Sequence, residues 1–148
     1  ELVIASACGY PKDINFYQTG AKPLFNTVGA VIPKDGVVII ASQCSEGWGN
    51  PDTERFALDF DNMLDREIYL RENFGIGMYV GFRIFEVATQ IHYILVSDMD
   101  PALFSKTDII GCRTMEEAIA KAHEITGKDH LKTYIMPFAA NTMASTEL

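Results

Sequence analysis

The chain has 148 residues, of which 20 are acidic and 12 are basic, and its formal net charge is −8. Hydrophobic residues make up 48% and charged residues 22%, which is typical of a globular domain rather than a disordered or fibrous chain. This length predicts one domain over residues 1–148, because two separate cores would each be marginal. The negative charge disfavours nonspecific binding to nucleic acid and to anionic membranes, and no apolar run approaches the roughly 20 residues of a membrane helix.

Cysteine usage and the start of the chain give two further expectations. Cys8, Cys44 and Cys112 are widely spaced and contain no C-x-x-C pair, and the chain shows no secretory leader pattern. This combination predicts a reducing, cytoplasmic setting rather than a disulfide framework or a zinc site. Because the chain begins at Glu1, without methionine, and enters an apolar strand pattern at once, we expect a domain excised from a longer protein.

The first half of the chain predicts two buried strands and their following helices. The apolar run 2–7 predicts the first strand, and the β-branched run 37–41 predicts a second strand that is covered on both faces. A helical pattern extends over about 15–31, and a turn occupies 33–36. Asn50, Pro51 and Asp52 supply a cap, a first-turn proline and an early acid, so one helix is predicted from about Pro51 into the region 59–71.

The second half continues the alternation of helices and strands. A helix over 76–89 precedes a strand over 91–97, a short helix opens at Pro101, and Ile109-Ile110 is a brief strand. Thr114 and Glu117 form a capping box for a helix that ends at Gly127. The predicted inner face of that helix consists of Met115, Ala118, Ile119 and Ala122. A last strand covers 133–136.

Strands that alternate with helices predict an α/β fold, a Rossmann-like three-layer sandwich with a mostly parallel sheet of about five strands. Ligands in such sheets bind outside the carboxyl ends of the strands. The loops 8–18 and 43–50 are therefore the predicted binding region.

The loop after the first strand carries more polar and aromatic groups than a connection of about two to six residues requires. Asn15 is placed to cap a helix that begins near Phe16 and to leave backbone N–H groups facing an anion. A long surface loop without a ligand is the alternative. Lys12 and Asp13 could pair with each other or brace the loop as easily as contact a ligand.

The run Gly-Tyr-Pro-Lys-Asp-Ile-Asn-x-Tyr-Gln at 9–18, followed by a nearby lysine, resembles the opening of the C-terminal domain of the nickel-pincer lactate racemase (LarA-type) family. Segments 35–40, 44–49 and 134–137 resemble that family's second strand, the loop after it and its last strand. The resemblance spans nearly the whole chain and is weak between 62 and 89.

The resemblance implies a racemase or epimerase of small α-hydroxy acids, in which a hydride moves between the substrate's Cα and a nickel-pincer nucleotide (nickel pyridinium thioamide/thiocarboxylate mononucleotide). It also implies that an N-terminal domain of the same full-length chain, absent from these residues, holds most of this cofactor. The present domain would then close over the substrate and would be inactive alone. Its partners would be the α-hydroxy acid and that N-terminal domain.

The resemblance assigns substrate binding to Tyr17, Gln18 and Lys22, and catalytic roles to Gln18 and Lys22; it assigns no metal ligand. Lys22 follows Gln18 by four residues, where the family pattern has three, but both spacings return to the same helix face. An ammonium can neutralise a carboxylate or a developing alkoxide, an amide can orient a hydroxyl, and a tyrosine can wall the site while donating one hydrogen bond.

Three other interpretations compete with this one, and the sequence disfavours the second and the third. The first is a noncatalytic α/β module that binds a small carboxylate or phosphate through the same loop. The second is a cysteine hydrolase, which would need a histidine base, whereas His92, His123 and His130 are scattered and predicted to be structural or solvated. The third is a dinucleotide loop at 75–81, but these glycines follow charged residues instead of a strand, so they indicate close helix packing.

Overall fold

Five parallel strands form one sheet in the order β4-β3-β2-β1-β5. The computed structural model describes residues 1–18 and 36–142. The strands are β1 Leu2–Ser6, β2 Val37–Ala41, β3 His92–Val96, β4 Ile109–Cys112 and β5 Thr133–Met136. The predicted Rossmann-like α/β fold is confirmed, and every strand pair is parallel.

The described residues form four α-helices: α1 Pro51–Leu58, α2 Met63–Glu72, α3 Ile76–Ala88 and α4 Met115–Thr126. Two short 3-10 helices cover Pro101–Phe104 and Ala139–Asn141. None of the helices in the described ranges is long and apolar enough to cross a bilayer. Of the helix predicted over 15–31, residues 16–18 are described and are helical, and the rest of that prediction lies outside the described residues.

The central strands of the sheet are covered on both faces, and their side chains are apolar at successive positions. Val38 and Ile40 of β2 belong to the core beneath α1–α3, whereas Val37 and Ile39 belong to the core beneath α4. Ala118 and Ala122 of α4 are fully buried, and these small side chains let the helix lie close to the sheet. The predicted inner face of α4 is thus confirmed.

The helix predicted to run from about position 51 into the region 59–71 is wrong in its continuity, because it is divided into α1 and α2. Asn62 caps the start of α2. The buried guanidinium of Arg66 donates to the carbonyl oxygens of Phe56 at 2.7 Å, Phe60 at 2.8 Å and Lys106 at 2.7 Å. A side chain from α2 therefore satisfies carbonyl groups that the end of α1 leaves open.

The connection that leaves β3 and the connection that leaves β4 lie on opposite faces of the sheet. The helices α1–α3 join β2 to β3, and the 3-10 helix Pro101–Phe104 joins β3 to β4 with Phe104 in the same core. The helix α4, which joins β4 to β5, packs on the opposite face. In a parallel sheet, a crevice opens at the carboxyl ends where neighbouring connections diverge in this way.

Candidate functional site

The two predicted binding loops are joined side by side at the carboxyl edge of the sheet. Four backbone hydrogen bonds link them, and we call this arrangement the loop ladder. Its bonds are Cys44 N to Asp13 O at 2.7 Å, Glu46 N to Ile14 O at 2.7 Å, Phe16 N to Gly47 O at 2.9 Å and Tyr17 N to Trp48 O at 3.1 Å. The loop ladder satisfies backbone groups that a long connection would otherwise leave open, so it holds both loops in one conformation.

Asn15 caps the helical turn that follows, as the sequence predicts. Its side-chain oxygen accepts the backbone N–H of Gln18 at 2.9 Å, and Asn15 itself is 5% exposed. Gly49 packs directly on this side chain and adopts a φ of +70°, a conformation that L side chains rarely adopt. The cap is therefore built from the first loop and enclosed by the second.

Phe16 anchors the same turn in the core. Its ring is fully buried and contacts Trp48 at 5.2 Å, Phe104 at 5.6 Å and Phe85 at 6.1 Å between centroids. Aromatic rings bury a large apolar area, and pairs of rings prefer edge-to-face or offset packing, so these contacts stabilise the position of Phe16. Because Phe16 is packed against three rings, the backbone of the residues that follow it is also held in place.

Tyr17 and Gln18 project from this anchored turn. Tyr17 is half-buried, and a Cβ atom built on Gly77 would lie 3.8 Å from its hydroxyl oxygen, so the phenol reaches the first turn of α3. Gln18 is exposed. The structure thus brings two of the three predicted substrate-binding residues to one turn, whereas Lys22 lies outside the described residues.

Lys12 and Asp13 do not pair with each other. The Lys12 ammonium donates to Asn141 Oδ1 at 2.6 Å, which ties the first loop to the segment after β5. Of the roles that the sequence left open for Lys12, the structure shows the bracing of the loop. Asp13 instead lines a cleft.

This cleft lies where the strands β1–β4 end, and we call it the carboxyl-edge cleft. Its volume is about 460 Å³. Its walls come from the ends of all four strands: Ser6, Gly9, Asp13, Ala41, Ser42, Gln43, Val96, Ser97, Asp98 and Arg113. The predicted binding region covers the ends of the first two strands and does not include Ser97, Asp98 or Arg113, which also line the cleft. These residues follow β3 and β4, whose outgoing connections lie on opposite faces of the sheet. That arrangement marks a binding crevice, but recognising it requires the strand order.

The cysteines and histidines lie at opposite edges of the sheet. Cys8 and Cys44 follow β1 and β2 at the carboxyl edge, whereas His92 is the first residue of β3 and pairs with Val37, the first residue of β2. A strand of five residues at about 3.3 Å each spans about 16 Å, too far for proton transfer from a cysteine. A Cys8–His92 or Cys44–His92 nucleophile pair is therefore excluded.

The remaining candidates have structural explanations. The His123 ring nitrogen Nδ1 lies 2.7 Å from the carbonyl oxygen of Lys128, just beyond the end of α4. Burial, and then the Glu117 carboxylate, raise the pKa of the Cys112 thiol, which disfavours the thiolate that a nucleophile needs. A Cβ on Gly81 would lie 2.6 Å from Thr53 Oγ1, so this glycine serves close packing of α1 and α3. The expectation of helix packing at 75–81 is confirmed at this position.

Within residues 1–18 and 36–142, no group of three or more His, Cys, Asp or Glu side chains is placed to hold a metal ion. The described edge of the sheet offers groups for hydrogen bonding and ion pairing. Its groups are a phenol, a primary amide, hydroxyls, carboxylates and one guanidinium.

Comparison with known proteins places this geometry in context. The chain matches the model of the lactate racemase C-terminal domain over residues 1–140. Among solved structures it is similar to the lactate racemase apoprotein from Thermoanaerobacterium thermosaccharolyticum, with a TM-score of 0.82 and 23% sequence identity. The superposition covers 97% of this chain and 35% of that chain, so the present residues span about a third of that protein. None of the curated protein sequences matches the chain.

Proposed function

Because the chain belongs to the family of lactate racemase C-terminal domains, we propose that it is the substrate-closing domain of an isomerase, a racemase or epimerase of small α-hydroxy acids. Tyr17, Gln18 and Lys22 bind the substrate, and Gln18 and Lys22 also take part in catalysis. The domain is inactive alone, because the reaction requires the N-terminal domain of the full-length chain. The full-length protein acts in the cytoplasm.

The observation that supports this proposal is the construction of the turn at residues 16–18. Asn15 caps it, Phe16 anchors it in a ring cluster, and Gln18 is exposed immediately after the half-buried Tyr17. A site that distinguishes substrate from transition state needs polar groups that are held before the substrate arrives. The loop ladder supplies that rigidity.

Each side chain has a role that suits its chemistry. The Gln18 amide can orient the substrate hydroxyl or carboxylate, because it offers both donors and an acceptor. The Lys22 ammonium can neutralise the carboxylate or stabilise an alkoxide that develops on the hydroxyl oxygen. Tyr17 forms one wall of the site and holds its hydroxyl toward α3. Closure of the two domains would exclude water from the reacting centre.

The nickel-pincer nucleotide supplies the hydride acceptor for this chemistry when it is bound. The N-terminal domain of the full-length chain would hold the nickel and most of the nucleotide. What this domain contributes is contact with the substrate and closure of the cleft.

The proposal is tested by racemisation of a panel of α-hydroxy acids, lactate included, by the full-length protein loaded with cofactor. We expect Lys22→Ala and Gln18→Ala each to lower turnover by about 100-fold, the magnitude of a lost oxyanion donor. Lys121→Ala is the matched control, because its ammonium lies on the exposed face of α4 and pairs with Glu124 at 2.7 Å.

Two further measurements separate binding from chemistry. Nickel content should be equal in all variants, and calorimetric titration of lactate into Gln18→Ala should show weakened binding. Full nickel loading of the wild type with no turnover of any acid would overturn the racemase proposal. Retained binding of a small carboxylate in that case would favour the noncatalytic module.

A further inference from the structure

The carboxyl-edge cleft holds charged side chains that are not paired with one another. Among the described residues, the carboxylates of Asp13 and Asp98 form neither an ion pair nor a side-chain hydrogen bond, and Arg113 forms no ion pair. The Arg113 guanidinium is held over the cleft by one bond, from Nη1 to the backbone carbonyl of Asp98 at 2.5 Å. Its other N–H groups and both carboxylates are therefore available to a ligand.

Two serines in the same cleft have hydroxyl protons to donate. Ser6 Oγ accepts the backbone N–H of Cys8 at 3.1 Å, and Ser97 Oγ accepts that of Met99 at 3.2 Å. Each serine oxygen already accepts one hydrogen bond, so it can still donate its O–H and accept one further bond. The cleft thus presents acceptors and donors together, on a floor where Ser97 is only 6% exposed.

The floor of the cleft is preorganised because the backbone ladder continues beyond the strand ends. Ser42 N donates to Val96 O at 3.0 Å, Asp98 N to Gln43 O at 2.9 Å and Ser97 N to Cys112 O at 3.2 Å. These bonds fix the backbone positions from which the polar side chains project. A cleft of about 460 Å³ is within the usual range for small-molecule sites.

We propose that the carboxyl-edge cleft binds a small carboxylate that carries several hydroxyl groups. Arg113 pairs with the ligand's carboxylate, Asp13 and Asp98 accept from its hydroxyls, and Ser6 and Ser97 donate to its oxygens. A hydroxyl both donates and accepts, so it matches this mixed lining. The two aspartates carry one more charge than Arg113 balances, which favours a singly charged carboxylate over a dianionic phosphate.

This site is distinct from the one proposed around Tyr17 and Gln18. Asp13 lies at the start of the loop ladder, where it pairs with Cys44, whereas Tyr17 lies at its other end, where it pairs with Trp48. The two sites therefore occupy opposite ends of one rigid pair of loops.

The test uses shikimate as the probe, because it carries a carboxylate and three hydroxyls but is not an α-hydroxy acid. Two matched probes each lack one feature: 1-cyclohexene-1-carboxylate lacks the hydroxyls, and inositol lacks the charge. Calorimetric titration should show shikimate binding about tenfold more tightly than either. Arg113→Gln and Asp98→Asn should each weaken shikimate binding about tenfold, whereas Arg71→Gln, on the exposed face of α2, should not.

Shikimate binding that is absent, or no tighter than that of both matched probes, would overturn the proposal. So would binding that is unchanged in both Arg113→Gln and Asp98→Asn. Circular dichroism should show all variants folded, since Asp98 and Arg113 are exposed. Because shikimate has no hydroxyl on the carbon next to its carboxylate, this result does not depend on whether racemisation is observed.

Discussion

A Cβ atom added to Gly49 would lie 2.1 Å from Cγ of Asn15, so the approach of these two residues leaves no room for a side chain. Asn15 belongs to the loop after β1, and Gly49 belongs to the loop after β2. Their contact closes the end of the loop ladder and holds the asparagine in the position from which it caps residues 16–18. The conformation of residues 16–18 therefore depends on a glycine of the second loop.

Gly49→Ala is expected to lower the free energy of unfolding by about 2–5 kcal/mol, because it adds overpacking to the strain of a positive φ. Gly47→Ala is the matched control. Gly47 also has a positive φ, +63°, but nothing lies within 4 Å of its Cβ position, so it should lose about 1–2 kcal/mol. Urea unfolding followed by circular dichroism measures both. Equal losses in the two variants would mean that Asn15 moves aside without cost.

Arg66→Met is expected to lower the free energy of unfolding by about 3–5 kcal/mol, because it leaves the carbonyls of Phe56, Phe60 and Lys106 without their donor. Arg71→Met on the same helix removes an exposed ion pair with Glu67 and should change stability by less than about 1 kcal/mol. The comparison is made by chemical denaturation. A small loss at Arg66 would show that water replaces the guanidinium at these carbonyls.

Tyr93→Phe is expected to raise the free energy of unfolding by about 1–3 kcal/mol. The Tyr93 hydroxyl is fully buried and finds no hydrogen-bond partner among the described residues, so its removal relieves a desolvation cost. Tyr134→Phe is the control, because Tyr134 is 56% exposed on β5. A loss of stability in thermal unfolding of Tyr93→Phe would reveal an ordered water on the hydroxyl.

The same residue predicts a dependence on alkaline pH. Burial, and then the nearby Cys44, raise the pKa of Tyr93 well above its ordinary value. Above about pH 10 the unfolded chain loses this phenolic proton while the folded chain keeps it, so stability falls as pH rises. Tyr93→Phe should flatten that fall between about pH 10 and 11, measured as the denaturation midpoint at each pH. An unchanged slope would assign the fall to other groups.

Gly81→Ala is expected to destabilise the packing of α1 on α3 by about 1–3 kcal/mol, since its Cβ would meet Thr53 Oγ1 at 2.6 Å. The double variant Thr53→Ala/Gly81→Ala should recover part of that loss, because it removes the opposing hydroxyl. A double-mutant cycle, with each variant unfolded in urea, measures the coupling free energy between positions 53 and 81. Strict additivity of the two changes would indicate that the helices simply move apart.

Several features could be predicted from the sequence because short-range signals control them. The capping box of Thr114 and Glu117 and the cap at Asn15 involve partners three residues apart, and both form as predicted. The β-branched run of β2 alternates its side chains between two cores, so its burial on both faces follows from the strand period.

The tertiary structure alone decided the features that join distant parts of the chain. The division of the predicted helix into α1 and α2 is one example. Arg66 of α2 donates to the carbonyls of Phe56, Phe60 and Lys106, and no local sequence pattern reveals these contacts. Asp13, Asp98 and Arg113 share a cleft because the strand order places the ends of β1–β4 side by side. Local sequence determines caps and strands through contacts between near neighbours, whereas a binding cleft depends on how those elements are ordered in the sheet.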